Sequence, residues 1–312
     1  MKSLFYGTPE VAAPFLDLLA KRTQVVAVVS QPDKPAGRSL KIEPTPVKRK
    51  ALELGLQVFQ PVKPAEIVPS LRALAPDFAV AVAYGRILRA DALAVPRLGT
   101  LNVHFSLLPK YRGAAPVQWS LVKGETRTGV TIFWLDEGMD TGPMLLQRET
   151  EVGPDEDALE LMAKLQTLGL AALDEAVAMI ERGELIKNPQ EGPATMAPLI
   201  KKEDGKMDLN RPAQDLHNLV RGFRSWPKAY LELQGGQRLI VLKTGVGGLA
   251  TEAAPPGTII SVARTGPVLV QCGLGSCLKL LSVQPEGKKP VTAGDFINGL
   301  RLAAGDVLPI LS

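Results

Sequence analysis

Two cysteines and two histidines in 312 residues leave little with which to ligate a metal. Cys272 and Cys277 lie in apolar, strand-like sequence, and neither an EF-hand nor an HExxH pattern occurs, so both thiols are expected to be reduced and structural and no metal is expected. Long hydrophobic runs are also missing. No stretch approaches the roughly 18 apolar residues that cross a bilayer, and the chain start meets Gly7, Pro9 and Glu10 before an apolar leader core can form. These absences argue against membrane insertion and export and make the cytoplasm the expected compartment. The segment Tyr6-Gly7-Thr8-Pro9-Glu10 is no GxGxxG loop, which weakens a dinucleotide oxidoreductase reading. No internal repeat is visible.

What the chain does have is apolar material, 46% of its residues, and a length that favours two domains. In the first half, short apolar runs at residues 4–6, 25–29, 57–59, 78–83 and 100–104 alternate with helical patterns at 11–20, 47–54 and 65–75. That alternation predicts a mostly parallel sheet with helices on both faces. Thr8 is the expected cap of the first helix. Later strands are expected at 130–135 and 144–148, then a long helix over 157–182 that Gly183 ends. Periodicity lapses at 188–206, where Pro189, Gly192, Pro193 and Pro198 suggest a connector. Beyond it a helix at 213–221, five short strand candidates and a helix at 293–304 suggest a small β-barrel, with Gly235-Gly236 as a hairpin turn. The expected division is 1–188, a linker at 189–206, and 207–312.

Charge is unevenly spread along the chain. Residues 201–312 carry 14 Lys and Arg against nine Asp and Glu, while residues 31–50 hold six basic residues (Lys34, Arg38, Lys41, Lys48, Arg49, Lys50) against Asp33 and Glu43. A long polyanion is the partner this layout would attract, since each phosphate contact releases counterions; a merely solvated surface is the competing reading. Residues 33–50 are also too long for a routine turn and carry four prolines or glycines, as an excursion from the sheet would.

The segment from Gly99 to Gly113 holds the densest chemistry. If 100–104 is a strand, Asn102, His104 and Ser106 share one face, and two polar side chains meet at the carboxyl end of a parallel strand, where open α/β sheets bind ligands. On its own such a histidine reads more readily as a hydrogen-bonded structural residue. Downstream, Asp136-Glu137-Gly138-Met139-Asp140-Thr141-Gly142 forms an acidic loop between strands. A carboxylate from it is expected to orient His104 and raise its pKa. Asp136 and Glu137 read as solvated turn residues.

At these positions the chain resembles the folate-dependent formyltransferases. The resemblance rests on Asn102-Val103-His104 with Ser106-Leu107-Leu108-Pro109, on Arg112-Gly113-Ala114-Ala115-Pro116, on Asp140-Thr141-Gly142 and on Gly7-Thr8-Pro9. Residues Gln31 to Arg38 resemble the RNA-contacting insertion of family members that act on aminoacyl-tRNA, and Arg221-Gly222-Phe223 with Trp226-Pro227 resembles the start of the second domain. The resemblance implies a Rossmann-like catalytic domain followed by an OB-like, tRNA-binding β-barrel. It implies transfer of a formyl group from 10-formyltetrahydrofolate to the α-amine of methionyl-initiator tRNA. Asn102, His104 and Asp140 would be catalytic; Ser106, Leu107, Leu108, Pro109, Tyr84, Gly85 and Ile87 would meet the folate; Lys34, Arg38 and Lys41 would meet the tRNA. A monomer without metal is expected. Two departures from the family pattern are Arg89, where a proline commonly follows Ile-Leu, and the bulky Phe105 between His104 and Ser106. An amino-sugar nucleotide as acceptor is the rival reading within the family, and an inert RNA- or folate-binding module the rival outside it.

Overall fold

The structure is a computed structural model that describes residues 1–36, 41–250, 254–263 and 266–311. In chain order its first elements are β1 (Lys2–Gly7), α1 (Ala13–Arg22), β2 (Gln24–Val29), β3 (Lys34–Ala36), β4 (Lys41–Glu43), α2 (Pro46–Glu53), β5 (Val58–Phe59), α3 (Val68–Ala73), β6 (Phe78–Val82), α4 (Ala90–Leu93), β7 (Thr100–His104), α5 (Pro116–Val122), β8 (Arg127–Trp134), β9 (Met144–Glu151) and α6 (Ala158–Glu181). The chain divides into two compact units. The first is Met1–Pro116, Arg127–Thr150 and Ala163–Pro198; the second is Val117–Thr126, Glu151–Met162 and Leu199–Ser312.

In the first unit the sheet order is β5-β2-β1-β6-β7-β8-β9. Strands β5, β2, β1, β6 and β7 pair in parallel and β8 runs antiparallel to β7. Strand β6 is buried at every position, which is why it reads as an unbroken apolar run instead of an alternating one. One sheet face carries Leu4, Tyr6, Ala27, Val29, Ala79 and Ala81, packed with Val68 and Leu71 of α3 and Ala92 of α4. Side chains alternate along a strand, so Phe5, Val28 and Val80 face the other way; on that side Gly169 of α6 lies against Phe15 of α1 and Val103 of β7. Helix α6 ends as its sequence predicts. Gly183 takes φ +79°, and the Gly183 and Glu184 amides donate to the Ile180 and Met179 carbonyls at 3.0 and 2.9 Å, the pattern of a Schellman cap.

Several expectations needed correction. Thr8 does not cap a helix: a 3-10 turn, Glu10–Ala12, precedes α1 without a side-chain cap, and the Thr8 hydroxyl instead donates to the Tyr84 carbonyl at 3.0 Å. The helix expected at 65–75 divides into a 3-10 turn, Pro64–Ile67, and α3. The excursion at 33–50 contains an antiparallel ribbon, β3 with β4, and ends in α2, the helix expected at 47–54, which carries Lys48, Arg49 and Lys50. Residues 188–198, expected to be connector, form part of the first unit: Asn188 bridges to Met144 and Met196 to Arg112.

The second unit continues with α7 (Ala213–Gly222), β10 (Ala229–Glu232), β11 (Arg238–Leu249), β12 (Ile259–Val262), β13 (Val268–Gln271), β14 (Ser276–Pro285), β15 (Val291–Thr292) and α8 (Ala293–Gly299). Its antiparallel sheet runs β10-β11-β14-β13-β12, with β15 on β14, and Gly235 and Gly236, both at positive φ, turn β10 into β11. Helix α8 starts on a Thr292 cap that accepts from the Asp295 amide and stops short of the expected 304, with Arg301 in the left-handed region at φ +59°. Cys272 and Cys277 are free and buried, and burial pushes the Cys272 thiol up to about 12.

Candidate active site

Parallel strands β6 and β7 end side by side, and the segments leaving their carboxyl ends, with the loop after β8, enclose a cavity of about 520 Å³. That volume suits a small-molecule site. Its walls include Ala83 to Leu88 beyond β6, Asn102 to Phe105, Gly113 and Ala114, and residues 135–140.

The sequence-derived trio converges here. Asn102 sits in mid-β7, opposite Ala81 on one side and Phe133 on the other. It lines the cavity and makes no side-chain hydrogen bond among the described residues, leaving its amide for an incoming group. His104, at the end of β7, is 5% exposed and stacks edge-on against Phe133. Its Nε2 lies 2.9 Å from the Tyr111 carbonyl. A carbonyl only accepts, so Nε2 carries the proton and the neutral ring keeps its lone pair on Nδ1. Nδ1 faces Asp140 Oδ2 at 3.7 Å, an ion-pair distance once the ring is protonated but long for a hydrogen bond. The same Asp140 oxygen accepts the Gly113 amide at 2.8 Å. Asp140 holds this position with a left-handed backbone, φ +53°.

The expected upward shift of the His104 pKa is reversed. Burial lowers it more than Asp140 and the Tyr111 carbonyl together raise it, so the imidazole sits below its ordinary value. The charged ring loses more by leaving water than one carboxylate returns.

The proposed folate contacts separate into two sets. Tyr84, Gly85 and Ile87 line the cavity, with Ile87 75% exposed. The Tyr84 carbonyl is fixed by Thr8 Oγ1 and by Gln31 Nε2, the latter at 2.9 Å. Gly85 turns at φ +74°, a conformation that favours glycine, and a Cβ there would come within 2.6 Å of Gln31 Nε2 and push that side chain aside. Ser106, Leu107, Leu108 and Pro109 lie outside the cavity wall. Ser106 Oγ donates to the Lys110 carbonyl at 2.7 Å, the Leu108 amide donates to Thr131 Oγ1, and Gln147 donates to both Thr131 and the Leu108 carbonyl. These bonds curl the loop so that the Tyr111 carbonyl reaches His104. The strand alternation that grouped Ser106 with His104 fails because β7 ends at His104. Phe105 does line the cavity, packed edge-on against Phe15. Asp136 acts within its loop, accepting from the Gly138 amide and the Thr141 hydroxyl.

Gln147 and Gln190 escaped the sequence reading, and Gln31 entered it only as the start of the segment that resembles an RNA-contacting insertion. Each acts through an amide on backbone carbonyls, which leaves no spacing signal. Gln190 Nε2 donates to the Asp140 and Gly142 carbonyls, both at 2.8 Å, while its Oε1 accepts from Arg112.

Of the basic stretch 31–50, Lys48 pairs with Asp33, Arg49 with Glu10 and Lys50 with Glu53. Lys34 is exposed on β3, its ammonium 3.4 Å from Gln31 Oε1. Arg38 lies outside the described residues, and Lys41 is placed in β4. Among the described residues no group of three or more His, Cys, Asp or Glu could hold a metal, and no helix is long and apolar enough to cross a membrane.

Residues 1–177 match the formyl transferase family and residues 199–301 its C-terminal domain. The chain is 43% identical to the methionyl-tRNA formyltransferase of Elusimicrobium minutum, over 99% of each chain, and 46% identical to that of Geobacter metallireducens, over 97% of this chain and 96% of the other. Among solved structures, a sugar 3N-formyl transferase crystallised with dTDP and 5-N-formyl-THF superposes with TM-score 0.67 at 17% identity, over 93% of this chain and 99% of that one. The chain belongs to the formyl transferase family.

Proposed function

We propose that the chain transfers the formyl group of 10-formyltetrahydrofolate to the α-amine of methionyl-initiator tRNA, giving N-formylmethionyl-tRNA and tetrahydrofolate. The observation that carries the chemistry is the convergence of Asn102, His104 and Asp140 at one end of the cavity, with the Nδ1 lone pair of His104 turned toward Asp140. Near-full-length identity to relatives named for methionyl-tRNA supports the acceptor over an amino-sugar nucleotide.

The free amine attacks the formyl carbon, and the carbonyl electrons move onto oxygen. The Asn102 NH₂ donates to that oxyanion, a contact whose loss typically costs about 2.7–4 kcal/mol of barrier. The nitrogen that has attacked carries a surplus proton. His104 Nδ1 takes it, and Asp140 stabilises the imidazolium across the 3.7 Å gap. Collapse of the intermediate breaks the bond to the folate nitrogen, which takes the proton from the His104 imidazolium as it leaves and so restores the neutral ring. Because burial keeps His104 neutral near pH 7, the base is ready without prior deprotonation.

Tyr84, Gly85 and Ile87 form the folate wall, and Ser106 to Pro109 serve the donor indirectly by shaping the loop beneath His104. Lys34, Arg38 and Lys41 meet the tRNA, the three basic residues of this stretch outside α2. The protein works as a cytoplasmic monomer that requires no metal. The test is incubation with 10-formyltetrahydrofolate and either methionyl-tRNA or an amino-sugar nucleotide, with His104→Ala as control. Formylation of the sugar alone refutes the reading. Affinity for tRNA should also fall steeply with salt, and Arg38→Ala should weaken it.

A further inference from the structure

Gln190 falls in a stretch with no periodicity, yet its side chain spans two loops of the site. One amide nitrogen reaches two carbonyls, of Asp140 and Gly142, while the amide oxygen takes both the Nε and a terminal nitrogen of Arg112, at 3.1 and 2.7 Å. Arg112 immediately precedes Gly113, whose amide binds the Asp140 carboxylate at 2.8 Å. The main chain of Asp140 and its side chain are therefore anchored to the same loop, the first through Gln190 and the second through Gly113. Such anchoring answers a specific need. Asp140 is left-handed at φ +53°, a conformation that a non-glycine residue keeps only where its surroundings enforce it.

We infer that Gln190 is a positioning residue: its amide holds the left-handed Asp140 backbone so that the carboxylate stays opposite His104 Nδ1. This rests on the proposed formyl transfer for its kinetic consequence but not for its geometry. Gln190 does not itself line the cavity; it acts on His104 through Asp140.

Two substitutions separate positioning from simple tethering of residues 188–198. Gln190→Ala removes both halves of the bridge. Gln190→Glu keeps an acceptor for Arg112, now as an ion pair, but cannot donate to the Asp140 and Gly142 carbonyls. The first readout is the titration of the two histidines by NMR, with His217→Gln assigning the signals. Other ionisable groups lining the cavity, Tyr84, Arg86, Asp136 and Glu137, are unchanged in both variants. If Gln190 positions Asp140, His104 loses part of the charge that raises its pKa and titrates lower in Gln190→Ala; in Gln190→Glu the new carboxylate, paired with Arg112, works against that fall. In formylation assays both should lose about tenfold or more in kcat, with KM for donor and tRNA little changed. A Gln190→Ala protein with wild-type His104 titration, or a Gln190→Glu protein with wild-type kcat, overturns the inference. Because the titration needs no substrate, absence of formyl transfer by the wild type would sink the functional reading and leave this test standing.

Discussion

Replacing Asp140 with asparagine isolates the charge that faces His104. The new carboxamide would still offer an oxygen to the Gly113 amide, so the loop anchor at 2.8 Å survives while the negative charge 3.7 Å from Nδ1 disappears. At an effective dielectric of about 20, unit charges at that separation interact by about 4 kcal/mol. An ion pair at this range typically shifts a pKa by about 1–3 units, the lower end applying where water reaches the pair. His104 is 6% exposed in its side chain and Asp140 17%, so little water screens the pair and a clear fall in the His104 pKa is expected. The sign follows from the competing causes. Burial already holds the ring below its ordinary value, and Asp140 is the larger of the two influences opposing it. The ground state at neutral pH therefore hardly changes, since His104 is neutral in both proteins. What is lost is stabilisation of the imidazolium formed during transfer, so kcat should fall by about 10²–10³ with KM for the folate donor nearly constant. NMR titration of His104, with steady-state formylation of methionyl-tRNA, measures both. A His104 titration unmoved by Asp140→Asn, or a kcat within about threefold of wild type, would refute the assignment of Asp140 as partner to the general base.

Other outcomes follow from the same structure. Gly85→Ala should raise KM for the folate donor and leave the KM for tRNA unchanged, because the added Cβ would displace Gln31 from the Tyr84 carbonyl; separate saturation curves for the two substrates check this. Gly113→Ala should lower both stability and activity, since Gly113 has φ +122° and a Cβ there lies 2.6 Å from the Ala197 carbonyl oxygen. The strain is of order 1–3 kcal/mol, readable by thermal unfolding. Burial also depresses the pKa of His217, which bonds to Thr244 Oγ1 through Nδ1 and to the Pro154 carbonyl through Nε2. Both histidines thus take up protons more readily when unfolded, and stability should drop as pH falls from about 6.5 toward the depressed folded-state values. Unfolding midpoints measured between about pH 7 and pH 5 should flatten in His217→Gln.

The parallel strands were legible because β2 and β6 are nearly continuous apolar runs, and the end of α6 because glycine most readily takes its left-handed cap. Strand alternation set Asn102 and His104 on one face, but it was the resemblance carried by Ser106–Pro109 and Asp140–Gly142 that singled out Asn102, His104 and Asp140 as candidates. Other features depend on contacts that no periodicity encodes. Ser106 looked like a cavity residue until the end of β7 was seen to turn it toward Lys110. Gln190 looked like linker because one side-chain amide bridging distant carbonyls leaves no trace in spacing. The helix expected at 47–54 was legible and carries Lys48, Arg49 and Lys50, but spacing did not show that each of them faces an acid.

The direction of the His104 shift also explains why the site needs a carboxylate at all. An imidazole buried this deeply, with Nε2 committed to the Tyr111 carbonyl, is a poor acceptor, because protonating Nδ1 creates a desolvated charge. Moving His104 to the surface would ease protonation but would hydrate the oxyanion and weaken the Asn102 contact. Asp140 resolves the conflict by supplying negative charge opposite Nδ1, where the proton arrives. At 3.7 Å from Nδ1, with the Gly113 amide fixing that oxygen, the carboxylate is held at ion-pair range. In the proposed mechanism, burial and Asp140 are thus two halves of one device: the first keeps the base neutral before attack, and the second stabilises its protonated form during it.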